Sequence, residues 1–285
     1  MKMDKLDNPV GTTLALMRRH PGVLLAMAAP EIAAYWFYTY ANQMLFAAKP
    51  PTGFPPVFAE IDWRAQVLGL LFGLALWMVG SIVSGVQCVW FASALTEEQP
   101  IPIAGAWSTT VRALPALLAG SVLVYALNDG STWLLSVAPA VHPAFLFCPQ
   151  PWVGIITWVI SLRLLFFAEE ILLARRSLPS AFRVSWSLTR DRLLRILVYY
   201  LRLTFRLWPF LLLGILSYAG RIRWDTTAGL AAPEQVDGID IALMAAGALA
   251  MGVFGIGVIG LSTLLWFKFQ NPAASPSAPR SSSGG

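Results

Sequence analysis

The stretch Arg163–Arg206, RLLFFAEEILLARRSLPSAFRVSWSLTRDRLLRILVYYLRLTFR, decides how the chain is read. Two apolar runs flank a short basic segment, and acids and arginines stand inside runs long enough to lie in hydrocarbon. Ionisable groups in a bilayer are costly, so each needs a partner, water or a task. The surrounding composition makes hydrocarbon the setting. Of 285 residues, 57% are hydrophobic and only 12% charged, against about 25% charged in soluble domains. Such a chain is expected to be an integral membrane protein. No contiguous polar segment is long enough to build a soluble domain, so three regions are expected: 1–20, a cytoplasmic N-terminus with an interfacial helix; 21–269, a membrane domain; and 270–285, a disordered tail.

A spanning helix needs about 20 apolar residues across roughly 30 Å of hydrocarbon. Six segments qualify, at about 22–41, 65–96, 113–127, 152–173, 194–218 and 241–267. The expected fold is all-α, a polytopic membrane helix bundle of six transmembrane helices with short interfacial amphipathic helices. Before the first span, Leu14 and Met17 stand beside Arg18 and Arg19, as suits an interfacial helix. Residues 131–150 are apolar but carry Pro139, Pro143 and Pro149, and read as a re-entrant or interfacial piece rather than a crossing. MKMDKLDNPVG lacks the apolar core and cleavage site of a signal peptide, so the first span is expected to be retained.

Orientation follows from the basic residues. With both ends inside, the cytoplasmic side collects thirteen (Lys2, Lys5, Arg18, Arg19, Arg112, Arg175, Arg176, Arg183, Arg190, Arg192, Arg195, Lys268, Arg280) and the other side four (Lys49, Arg64, Arg221, Arg223). Six spans therefore obey the positive-inside rule, whereas a seventh would put the basic fourth connection outside. The expected location is a bacterial cytoplasmic membrane.

Arg163, Arg202 and Arg206 lie within spans, and Glu31, Glu169 and Glu170 lie within or at the edge of them. At 1.5 Å per residue, Glu31, Arg163 and Arg202 reach similar depths, roughly 12–14 Å. Glu31 is thus a potential partner for Arg163 or Arg202, and Glu169 and Glu170 for Arg192 or Arg195. At 100° per residue, Arg192, Arg195, Arg202 and Arg206 fall within about 80° of one helix face. That stripe must face protein, water or an anion. Two readings stay open: ion pairs that lock the bundle, or a site for a lipid phosphate. In the fourth connection Leu178, Ala181, Phe182, Ser185 and Trp186 share one side of a helix, while Arg176, Arg183 and Arg190 recur every seven residues as candidate headgroup contacts. In the last span Ala248, Gly252 and Gly255 form a small-residue face suited to close approach by a protein partner or a second copy.

The run SAFRVSWSLTRDRLLRIL resembles the Ala-Leu-x-x-Ser-Trp-x-Leu-Thr-x-Gly-x-x-x-Arg-x-Leu signature of bacterial proteins similar to the membrane domain of glycerophosphoryl diester phosphodiesterases. Ala181, Ser185, Trp186, Leu188, Thr189, Arg195 and Leu197 match; Phe182 replaces an aliphatic residue and Asp191 the frequent Gly. EEQPIPIAGAWSTTVRALPALLAG resembles that family's second cytoplasmic connection, where an amphipathic helix leads into the third span. LSTLLWFKF is similar to its last helix, with Lys268 where an acid is common. The resemblance implies a membrane bundle and no hydrolase, because the phosphodiesterase catalytic domain is a separate soluble unit.

Catalysis needs a nucleophile with its base, paired carboxylates or clustered metal ligands. The two histidines, His20 and His142, fall on opposite sides of the expected membrane, Cys88 and Cys148 form no metal-ligand spacing, and no nucleotide-binding fingerprint is present. No enzymatic activity, cofactor or nucleic-acid partner is expected. The expected function is a lipid-contacting scaffold or accessory component of a membrane assembly, in contact with anionic lipid. Two other classes stay open: a transporter or permease subunit with an internal anion path, and a structural subunit of a larger complex.

Overall fold

The computed structural model describes residues 4–46, 63–97, 99–127, 150–219, 224–225, 229–230 and 238–270. Within these the chain is helical, apart from a two-residue antiparallel ladder pairing Trp224 with Leu230 and Asp225 with Gly229. In chain order the helices are α1 (Asp4–Asp7), α2 (Pro9–Arg19), α3 (Pro21–Phe46), α4 (Trp63–Thr96), α5 (Ile103–Arg112), α6 (Leu114–Tyr125), α7 (Gln150–Arg163), α8 (Phe167–Leu172), α9 (Leu178–Thr189), α10 (Leu193–Ala219) and α11 (Gly238–Gln270). Three are long and apolar enough to cross a membrane, at Val67–Thr96, Leu193–Ile215 and Ile241–Gln270. α5 and α6 add a fourth if the pair, bent by 74°, counts as one span. Hydrocarbon offers the backbone no partner, and a helix answers that by bonding to itself. The expected re-entrant piece at 131–149 and the tail at 271–285 lie outside the described residues.

The last helix, α11, is the axis of the bundle and packs against α10, α3, α4 and α2. Its small-residue face points inward. Gly252 lies where an added Cβ would come within 2.5 Å of the Ile32 side chain, so only a glycine lets α3 approach so closely, and Ala248 is buried. At Gly252 the surface expected to receive a partner is thus occupied by the chain's own α3, whereas Gly255 faces open space.

Two apolar cores join the helices. One gathers Leu24, Met27, Val86, Trp90, Phe91, Ala106, Leu117, Leu172 and Ile256. The other gathers Val10, Phe166, Ile196, Leu203, Leu207, Leu261, Leu265, Trp266 and Phe269. The first draws the amphipathic α5 under the bundle, with Ala106 and Thr110 buried and Arg112 in its last turn. Pro115 starts α6 just past the bend, where its missing N–H leaves no helical bond unmade.

Several contacts place distant segments at one end. Lys268 donates to the carbonyl of Leu6 (2.9 Å), Arg192 donates to that of Phe269 (3.1 Å), and the His20 and Trp90 rings meet edge to face. The N-terminus, the end of α4, the α8–α10 connection and the end of α11 thus share one side.

Candidate functional site

The charges of the opening stretch resolve into three places. At the shared end, Glu170 is wholly buried. Its Oε1 accepts from Trp266 Nε1 (2.8 Å) and Gln270 Nε2 (2.7 Å), and its Oε2 pairs with Arg176 Nε at 2.8 Å. Backbone geometry brings that arginine in. Arg175 adopts φ 52, a left-handed turn that side chains disfavour, and it returns the Arg176 N–H to the Glu170 carbonyl (3.0 Å). The neighbouring Glu169, 3% exposed, accepts from Ser262 Oγ. The expected partners were Arg192 and Arg195. Instead Arg192 caps α11, with its guanidinium 4.8 Å from the Phe269 ring centroid, and Arg195 is exposed. Ser262, Trp266 and Gln270 escaped the sequence reading, although their spacing of four sets them on one helical face.

The second place is the break between α7 and α8, in the segment expected from sequence to form the fourth span. The helix stops at Arg163 and resumes at Phe167, which frees backbone groups inside the bundle. Ser185 answers two of them: its hydroxyl accepts from the Phe166 N–H (3.0 Å) and donates to the Arg163 carbonyl (2.9 Å). Thr189 also donates to that carbonyl (3.2 Å), and Trp186 offers its ring to the Arg163 guanidinium at 5.6 Å. The Ser-Trp-x-Leu-Thr run therefore has a structural task here, the repair of a broken helix. Ala181, Ser185 and Thr189 form the buried face of α9, with Trp186 to one side and Arg183 and Arg190 exposed. Arg163 does not reach Glu31; one of its nitrogens is buried without a hydrogen-bond partner.

The third place is α10 itself. Ile196, Leu203 and Leu207 are buried against the core. The stripe of Arg195, Arg202 and Arg206 lies about 100° around the helix from them, and all three residues are exposed. Their neighbours are apolar: Leu194 is 77% exposed, Phe205 75% and Trp208 56%. Among the described residues no acid pairs with the stripe, since the ion pair found there is Arg176 with Glu170.

Inside the bundle a cavity of about 750 Å³ is bounded by α3, α4, α6, the α7–α8 segment, α10 and α11. Glu31 and Glu169 both line it, as do Ala248, Gly252 and Gly255; an added Cβ at Gly255 would meet only open space, and none of the described lining residues is Arg, Lys or His. Among the described residues the arginines thus stay outside the space that Glu31 and Glu169 share.

Comparison of the chain with models of protein families, with curated proteins and with solved structures finds no match in any of the three.

Proposed function

We propose that the chain is a six-span protein of a bacterial cytoplasmic membrane with both ends cytoplasmic. It acts without catalysis as a lipid-contacting scaffold or accessory component. The observation that carries the reading is the unpaired stripe Arg195, Arg202 and Arg206 on the outer face of α10. An arginine at the bilayer centre costs about 2.5–3.5 kcal/mol on the insertion scale, and no carboxylate of the described residues offsets it. A guanidinium fork matches a phosphate in two parallel bonds. An anionic headgroup drawn against α10 supplies those bonds, while Leu194, Phe205 and Trp208 meet its acyl chains. The contacts that gather residues 6, 170, 192 and 268 at one end support an even number of passes between them, a parity that six spans satisfy.

The test is lipid retention. Wild-type protein and an Arg202→Leu/Arg206→Leu variant are extracted from the same membranes, and bound lipid is quantified by native mass spectrometry. The wild type is expected to retain anionic lipid and the variant to lose most of it; equal retention would sink the reading. A second reading, carriage of a solute, is favoured by the internal cavity. Its lining of carboxyl groups, with no arginine, favours a cation there over the anion path expected from sequence.

A further inference from the structure

We propose that the internal cavity is a binding site for an organic ammonium ion, a compact apolar body carrying one N–H-bearing cationic head. At about 750 Å³ the space lies within the roughly 300–1,000 Å³ of small-molecule sites, and its wall is mostly apolar, as the body of such a ligand requires. The head is specified by what the polar lining has already spent. Ser81, Ser121 and Ser161 donate their hydroxyl protons to carbonyls one turn earlier in their own helices, those of Trp77, Leu117 and Thr157. Ser262 gives its proton to Glu169, and Tyr125 gives its to the Leu70 carbonyl. These oxygens keep lone pairs to offer, while Tyr200, whose hydroxyl is buried without a hydrogen-bond partner, adds an oxygen able to donate and accept. The carboxyl groups of Glu31 and Glu169 add acceptors, and among the described residues no cationic side chain lines the space to neutralise them.

Glu31 has no hydrogen bond or ion pair among the described residues. It rests against α4 where Gly80 stands, with its Oε1 3.3 Å from the place a Cβ would occupy. Glu169 is buried and accepts a single side-chain bond, from Ser262. Two carboxyl groups with no cationic side chain among the described lining residues fit a ligand that brings N–H donors and positive charge. The tilted ring pair of Trp77 and Tyr125, with centroids 5.7 Å apart, also lines the cavity and offers the cation a π face. A neutral alcohol satisfies fewer of these acceptors, and a carboxylate is repelled by the lining. This inference is independent of the lipid contacts proposed for α10, whose arginines lie about 100° around that helix from its buried face and are not among the described lining residues.

The test uses the full chain in nanodiscs of phosphatidylcholine, titrated calorimetrically with 4-phenylbutylammonium, 4-phenylbutanol and 4-phenylbutyrate, with empty nanodiscs as the partition control. The ammonium is expected to bind saturably at one site and at least about tenfold more tightly than the alcohol, with no binding of the carboxylate. Glu31→Gln and Glu169→Gln are each expected to weaken ammonium binding by about tenfold to a hundredfold. Glu31 has no partner to lose, so its variant keeps the fold and decides the matter even if Glu169→Gln disturbs α11. Equal affinity for alcohol and ammonium, wild-type binding by Glu31→Gln, or no saturable binding by the wild type would each overturn the proposal.

Discussion

Replacing Glu170 with alanine exposes the value of the lock between α8 and α11. The Trp266 Nε1–H, now bonded at 2.8 Å, is left as a buried donor without an acceptor, which costs about 1–3 kcal/mol. Loss of the side-chain methylenes adds about 1 kcal/mol. Arg176 contributes little, because its side chain is 41% exposed and water takes the place of the carboxylate; Gln270, half-buried, behaves likewise. The sum is about 2–4 kcal/mol. Trp266→Phe removes the donor while keeping most of the ring, and costs about 1.5–3 kcal/mol for a bond to a charged acceptor. The double variant loses that bond only once. Its cost is therefore expected to fall below the sum of the single costs by about 1–2 kcal/mol. Reversible unfolding by dodecyl sulfate in mixed micelles measures all four proteins. Additivity within about 0.5 kcal/mol would show that the two side chains do not depend on each other, and the lock would be refuted.

Three further outcomes are expected. Ser185→Ala strands the Phe166 N–H and one donor to the Arg163 carbonyl at the helix break, and lowers stability in the same assay by about 1–3 kcal/mol; Thr189 still reaches that carbonyl, so Thr189→Val in addition should cost more. Arg175→Gly relieves a left-handed residue (φ 52) and is expected to raise stability by up to about 1 kcal/mol; a loss of that size would mean the Arg175 side chain holds the turn. Trp186→Leu removes the ring beneath Arg163 and should cost about 0.5–1 kcal/mol, read as a shift of the same midpoint; no shift would show that the 5.6 Å approach contributes nothing.

The positions of the long helices were legible because hydrocarbon enforces them: runs such as residues 65–96 leave the backbone no alternative to α4. The arginine stripe was legible too, since Arg195, Arg202 and Arg206 share a face at any helical spacing. Its direction was not. Leu201 and Phe205 are as apolar as Leu203 and Leu207, so composition does not say which side of α10 meets α11. Matching acids to arginines by depth failed for a related reason. Depth ignores azimuth, and Glu169 and Glu170 turn toward Ser262, Trp266 and Gln270 rather than toward the next helix's arginines. The break at Leu164–Phe166 carries no Pro or Gly to announce it; it exists because Ser185 and Thr189, some twenty residues on, supply the missing bonds. Of the small-residue face of α11, Gly252 meets a close neighbour, Ile32, and Gly255 meets none; small residues at helical spacing do not tell an internal neighbour from an external one or from open space.

Every assignment of the charged end to the cytoplasm rests on topology, and cysteine accessibility measures it directly. Cys88 is buried, so a membrane-impermeant maleimide added to intact cells is expected to label the wild type at Cys148, which the proposed topology puts outside. With Ser177→Cys introduced beside the Arg176–Glu170 pair in a Cys148→Ser background, label is expected only after the membrane is permeabilised. Labelling of Ser177→Cys in intact cells, with Cys148 protected in the wild type, would contradict the orientation and with it the placement of the arginines at cytoplasmic headgroups.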